Sequence, residues 1–258
     1  MSILRSPWSS VSCLAVTLVM YVTPVSPSQP EAGQIAAIPG SRERIAANDN
    51  RSAAGAMSNG VLTVSLEARL GAWHPDGETE PGAVVKAFAV DGGPLQAPGP
   101  LIRVREGTEI RARIRNSLAE SLVLHGFYTR PGTDASSETV TVAAGDTRDI
   151  TFSAGRPGTY FYWGATTADI RLPQRPPSDT QLVGGLIVDP RDAPTEDRVL
   201  LITNWFLGPG PTLIGRIAIN GRSWPHTERL AYKVGETVRM RVINGGAAVH
   251  PMHLHGFY

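Results

Sequence analysis

Cysteine is almost missing from this chain. Cys13 is the single thiol in 258 residues, and it lies inside the first apolar run. A chain that loses that run has no thiol, and so neither a disulfide nor a thiolate ligand. Charge of one sign is also missing: 24 Lys and Arg face 23 Asp and Glu, a formal net charge of +1. Binding to nucleic acid or to an anionic membrane by bulk electrostatics is thereby excluded. After residue 28 no apolar run reaches the ~20 residues a membrane span needs, so the mature chain is expected to be soluble. No stretch between residues 29 and 57, or among the strand-like segments from 121 to 189, carries a sustained helical period.

Turn formers are abundant instead. With 27 Gly and 21 Pro, about a fifth of the chain punctuates structure, against a usual ~12%. Combined with 41% hydrophobic content, this predicts many short strands rather than a helical bundle. The beginning reads differently. Met1 to Ser10 carries Arg5 as its only charge, Val11 to Val22 is apolar, and small residues follow at Ser26 and Ser28. That pattern predicts a secretory signal peptide over residues 1–28, with a signal anchor as the alternative, and hence an exported protein, periplasmic or extracellular. Residues 29–57 are Ala-rich and polar without a period, and are expected to be a leader without structure.

From residue 58 the text becomes strand-like. Val61–Ala68 alternates, and Ile110–Arg115 alternates strictly, with Ile110, Ala112 and Ile114 on one face and Arg111, Arg113 and Arg115 on the other. A solvated outer face accounts for the arginines better than a ligand stripe does. Further strands are expected over 97–104, 121–128, 138–142, 147–152, 158–163 and 181–189, which together predict a β-sandwich over 58–190. Its core should contain Leu101, Ile110, Ile114, Leu122, Leu124, Ile150, Phe152, Tyr160, Tyr162, Leu186 and Val188. Residues 191–197 read as a linker. A second unit, 198–258, offers strands over 199–206, 216–224, 229–234 and 237–244.

The second unit repeats the first. REGTEIRARIRN (105–116) aligns with KVGETVRMRVIN (233–244), matching Gly107 to Gly235, Arg111 to Arg239, Arg113 to Arg241 and Asn116 to Asn244. LHGFY at 124–128 recurs letter for letter at 254–258. A period of roughly 130 residues is domain-sized. The first copy continues for about 60 residues beyond this pentapeptide and the second stops at Tyr258, so the second domain reads as truncated to its N-terminal half.

Six histidines are present. His74 (WHPDG) and His226 (WPHTE) sit in turn contexts. His250-Pro-Met-His253-Leu-His255-Gly256 differs, because residues two apart on a strand share a face and His253 and His255 project together. Imidazole suits copper, zinc, iron and nickel, so three within six residues form a candidate metal site.

HPMHLHG resembles the signature of the multicopper oxidase family, in the plastocyanin-like (cupredoxin) domain of laccases and their relatives. PGPLIRVREG followed by IRARIRNSL resembles the opening of that family's first domain, and GTYFYW and GGLIVDP resemble its later segments. The resemblance covers roughly residues 60–258 and implies an all-β chain of tandem cupredoxin-like Greek-key sandwiches, the second incomplete. It implies a copper cofactor, with His250 as a type 1 ligand, His253 as a type 2 ligand and His255 as a type 3 ligand. It implies oxidation of a small-molecule or metal-ion reductant coupled to reduction of dioxygen to water.

The chain departs from the family pattern in three places. The first His-x-His pair is replaced by Val123-Leu124-His125, leaving His125 as a retained type 3 ligand or as a packed remnant. The second pair is replaced by Trp163-Gly164-Ala165, and the closing His-Cys-His motif is absent. A blue-copper site needs thiolate with two imidazoles, so it cannot form from these residues alone. Alternative readings are therefore a non-catalytic cupredoxin-fold scaffold, a copper-handling protein, and a nitrite-reductase-like two-domain enzyme with copper between subunits. The last makes a homo-oligomer an open expectation.

Overall fold

The computed structural model describes residues 42–130, 139–192, 196–207 and 214–252. Fifteen strands are found among them. The first twelve are β1 (Ala46–Ala47), β2 (Ala56–Ser58), β3 (Val61–Trp73), β4 (Ala83–Val90), β5 (Leu95–Ala97), β6 (Gly99–Arg105), β7 (Glu109–Asn116), β8 (Leu122–His125), β9 (Thr139–Val142), β10 (Thr147–Ser153), β11 (Gly158–Ala165) and β12 (Val183–Asp189). The last three are β13 (Arg198–Leu207), β14 (Ile214–Ile219) and β15 (Met240–Asn244). Two 3₁₀ turns, 172–174 and 177–179, interrupt the connection from β11 to β12.

Strand alternation builds a sandwich. One sheet runs β1-β5-β4-β3-β7-β10 with β2 paired to β3, and the second runs β6-β12-β11-β8-β9. Between them lie Leu66, Phe88, Ile102, Ile110, Ile114, Leu122, Leu124, Tyr162, Leu186 and Val188, all buried. Ile150 and Tyr160 pack at the margin of this core. Leu101 belongs elsewhere: neighbours on a strand point to opposite sides, so Ile102 enters the core while Leu101 faces outward. The arginine stripe of β7 is solvated. Arg111 donates to Glu109, and Arg113 to Asp149 at 2.8 and 3.2 Å.

The second sheet is buried on both faces. Its outer side meets a third sheet, β14-β13-β15, through Leu101, Val183, Ile187, Val199, Leu201 and Ile243, with Phe161 and Trp163 packed against them. A separate seam joins Trp73, Val85, Leu95 and Ala97 of the first sheet to Trp205 and Ala218. Around the first contact four side chains interlock. Arg103 reaches Asp189 (2.7 and 3.0 Å) and Asp197 (2.8 Å), and Arg241 reaches Asp197 (2.5 Å) and Asp189 (3.3 Å).

The internal repeat has the same geometry in both copies. β7 runs parallel to β3 as β15 runs parallel to β13. Gly107 and Gly235 both take positive φ, at 83° and 86°, in the turn before the strand. After the strand, Asn116 Oδ1 accepts from the amide of Leu118 while its Nδ2 donates to Glu120 O, and Asn244 does the same with Gly246 and Ala248.

Two expectations are corrected. Residues 42–57 are not a leader without structure. β1 pairs with β5, and Asn50 donates to Asn220 Oδ1 at 2.9 Å, because the short polar side chains of this segment complete hydrogen bonds along the seam. Residues 229–234 form no strand: they run as exposed irregular chain, and β15 begins only at Met240. The signal-peptide segment lies outside the described residues. No helix among the described residues is long and apolar enough to cross a membrane.

Candidate metal centre

β8 places Leu122 and Leu124 in the sandwich core and therefore turns His125 to the opposite face, toward the third sheet. On the neighbouring β11, Tyr160 and Tyr162 point inward and Trp163 points outward. His125 and Trp163 are paired across the two strands, and their rings stack in parallel, 3.7 Å between centroids with an interplanar angle of 1°. Directly opposed side chains on one sheet face make such contact natural. The half-buried imidazole is pushed below its usual pKa, first by burial and then by the nearby Arg175 guanidinium. It is thus held neutral at physiological pH, the form that ligates metal. A cleft of about 410 Å³ opens here, lined by His125, Tyr128, Tyr160, Trp163 and Arg171 among others.

Arg175 stands behind Trp163, its Cζ 5.5 Å from the ring centroid. Burial pulls this guanidinium down to about 10, and it remains charged at neutral pH. One of its terminal nitrogens donates to Gly245 O at 2.8 Å, directly beyond β15. Gly245 opens the segment that leads through Ala247 and Ala248 to His250. Asn204 Oδ1 accepts from the amide of Ala247 at 2.8 Å and anchors the same segment to β13.

His250 is described, and His253 and His255 lie outside the described residues. Nε2 of His250 is buried without a hydrogen-bond partner. A buried imidazole nitrogen without donor or acceptor is open to a water or a metal ion. Fully formed ligand sets are not seen: no three His, Cys, Asp or Glu side chains gather into a metal site among the described residues. The donors this chain offers are imidazoles, which suit copper held without thiolate, while Cys13 lies outside the described residues. Arg175 thus touches both Trp163, the ring stacked on His125, and Gly245, five residues before His250. His74 and His226 remain in turns, with His74 Nδ1 3.0 Å from Glu80 O and the His226 amide donating to Ser223 O.

The sequence marked Trp163 only as the place where a ligand pair is lost, and it did not mark Arg175. The signal for Trp163 is present in GTYFYW: both strand faces are aromatic, which marks a strand buried on both sides. Arg175 sits in a Pro-rich connection, where sequence carries no periodic cue.

Two family profiles, each described as multicopper oxidase, match residues 77–193 and 193–258. A curated relative from Kuenenia stuttgartiensis, a probable nitrite reductase-hydroxylamine oxidoreductase fusion protein, is 29% identical over 205 residues, covering 69% of this chain and 23% of that protein. The chain thus spans under a quarter of that relative's length. Among solved structures, the multicopper oxidase mgLAC matches with a TM-score of 0.59 at 24% identity, over 75% of this chain and 64% of its own. A blue copper oxidase from Nitrosomonas europaea matches with 0.57 at 23%, over 71% and 61%. The copper nitrite reductase of the same organism matches with 0.56 at 24%, over 72% and 68%. These likenesses establish an all-β fold of cupredoxin-like sandwiches.

Proposed function

Because the chain belongs to the multicopper oxidase family and copper is that family's cofactor, we propose that it is an exported copper protein whose HPMHLHG segment binds the metal through His250, His253 and His255, with His125 as a further ligand. The orphaned Nε2 of His250 carries this reading. Copper held there would supply one-electron exchange between a reductant and dioxygen.

The chain's own residues prepare the site. Burial and Arg175 keep the His125 imidazole neutral. Trp163 covers one face of that ring and fixes its plane. Asn204 and Arg175 hold the approach to His250. A small-molecule or metal-ion reductant with dioxygen is the reaction proposed, in the periplasm or outside the cell. The curated relative's name favours one second reading, reduction of nitrite.

Titration of the chain with Cu(II), followed by calorimetry and electron paramagnetic resonance, tests the assignment. Stoichiometric binding that falls at least tenfold in affinity in His250→Ala is expected, without the intense charge-transfer band of a copper–thiolate bond. Unchanged binding in His250→Ala would remove His250 from the ligand set, and unchanged binding in a variant lacking all three histidines would remove the metal role of this segment. Oxygen uptake and nitrite loss, each measured with a chemical reductant, separate the two reactions. Neither activity from a copper-loaded chain would favour copper handling, and no stoichiometric binding would favour a scaffold.

A further inference from the structure

The Arg175 side chain contacts both Trp163, which stacks on His125, and Gly245, where the segment leading to His250 begins. Its Nε donates to Leu172 O at 3.2 Å, one terminal nitrogen to Asp179 O and Leu182 O at 3.1 Å each, and the other to Gly245 O at 2.8 Å. All four acceptors are main-chain carbonyls. The nearby Asp179 carboxylate is engaged by Lys86 at 3.0 Å, by Thr166 at 2.7 and 2.9 Å and by Ser178 at 3.0 Å. Arg175 is therefore no half of a salt bridge but a fork that gathers the connection from β11 to β12 and ties it to the segment after β15. Only a planar guanidinium offers donors in that arrangement, and a lysine ammonium could satisfy one or two of them. Its face rests on Trp163, and Trp163 rests on His125.

Burying a cation among carbonyls is costly, and a well-packed apolar side chain would fill the same volume without that desolvation. What the fork supplies is alignment. Metal-bound imidazoles need a fixed ring plane, commonly set by groups that touch the ligand rather than the metal. We propose that Arg175 is a positioning residue that fixes the His250 segment, through Gly245, against the His125 ring, through Trp163. The inference rests on the copper reading of those histidines and adds to it the residue that sets their relative placement.

The full chain is compared as wild type, Arg175→Met, Arg175→Lys and Trp163→Leu, with folding checked by circular dichroism. In the metal-free protein, the His125 ring protons are expected upfield in the NMR spectrum through the ring current of Trp163. That shift should vanish in Trp163→Leu and shrink in Arg175→Met. Amide exchange over residues 246–250 should accelerate in Arg175→Met and stay as in wild type in Trp163→Leu. Copper affinity should fall about 10–100-fold in Arg175→Met, with an altered resonance spectrum, and recover in part in Arg175→Lys.

A folded Arg175→Met with unchanged ring shifts, exchange and copper spectrum overturns the proposal. Should Arg175→Met fail to fold, Arg175→Lys and Trp163→Leu decide: unaltered copper spectra in both overturn it. If wild-type copper binding is indifferent to both His125→Ala and His250→Ala, the copper reading fails by itself. Ring shifts and exchange then still score whether Arg175 aligns the two segments.

Discussion

Tyr162 shows how a single side chain ties the two layers of the sandwich. Its ring is fully buried among Phe88 and Phe127, with centroids 5.5 and 5.1 Å away, and its hydroxyl donates to Pro100 O at 2.6 Å. Burial pushes the phenol far above its usual pKa, so it stays protonated wherever the fold persists. Room for the ring is made by Gly184, where a Cβ would collide with it. Tyr162→Phe leaves the Pro100 carbonyl unpaired, and a loss of about 1–3 kcal/mol is expected from chemical denaturation. An unchanged midpoint would mean that water replaces the hydroxyl. At this scale the sequence is candid about chemistry and silent about partners. Three histidines in HPMHLHG declare themselves by spacing. The stack of Arg175, Trp163 and His125 cannot be read, because it joins two strands and a connection that only the folded sheet brings together.

Among the elements, β15 is held by charge as well as by hydrogen bonds. Arg241 and Arg103 share Asp197 and Asp189, joining β15 and β6 to β12 and to the segment before β13. Burial raises the pKa of the Asp197 carboxyl, but its bonds to Arg103 and Arg241 outweigh this and leave it below 3.8. A carboxylate depressed in the folded state stabilises fully above its unfolded pKa and loses that stabilisation as pH falls through the folded value. Acid unfolding below about pH 4 should therefore be shallower in Asp197→Asn, which at neutral pH should already be less stable by about 2 kcal/mol. Equal acid slopes for the two proteins would deny Asp197 that role. Strands with alternation were legible: β3 and β7 lie where the pattern predicts, and β11 was found from the Gly and Pro that bound it. β4 (AVVKAFAV) was missed because both its faces are buried, which erases the period of two. Residues 229–234 misled for the opposite reason, having apolar letters but no partner strand among the described residues.

At the scale of the whole molecule, the sandwich and the third sheet share two apolar seams within one compact unit. Trp73 and Trp205 meet edge to face at 5.8 Å, and their indole nitrogens donate to Gly221 O and Ser223 Oγ at 3.2 and 2.9 Å. Trp205→Ala should cost about 3–5 kcal/mol and separate one calorimetric transition into two, the third sheet melting first. A single transition merely shifted to lower temperature would show that the seam through Leu101 and Ile243 suffices for coupling. The repeat announced two related units. That they bury so much against each other was hidden, since outward apolar residues such as Leu101 look like core on any one strand.

The two asparagine-capped turns have diverged in one instructive respect. After Asn116 the turn reads Ser117-Leu118, and after Asn244 it reads Gly245-Gly246. A Cβ on Gly246 would strike Asn204 Oδ1, and one on Gly245 would lie 3.0 Å from Val183 and 3.2 Å from Leu201. The second copy carries no side chains here, and its bare backbone is pressed against its neighbours. One hydrogen-bond plan is thus written in two different sets of letters. A transplant of the first turn into the second would carry the right plan and the wrong bulk.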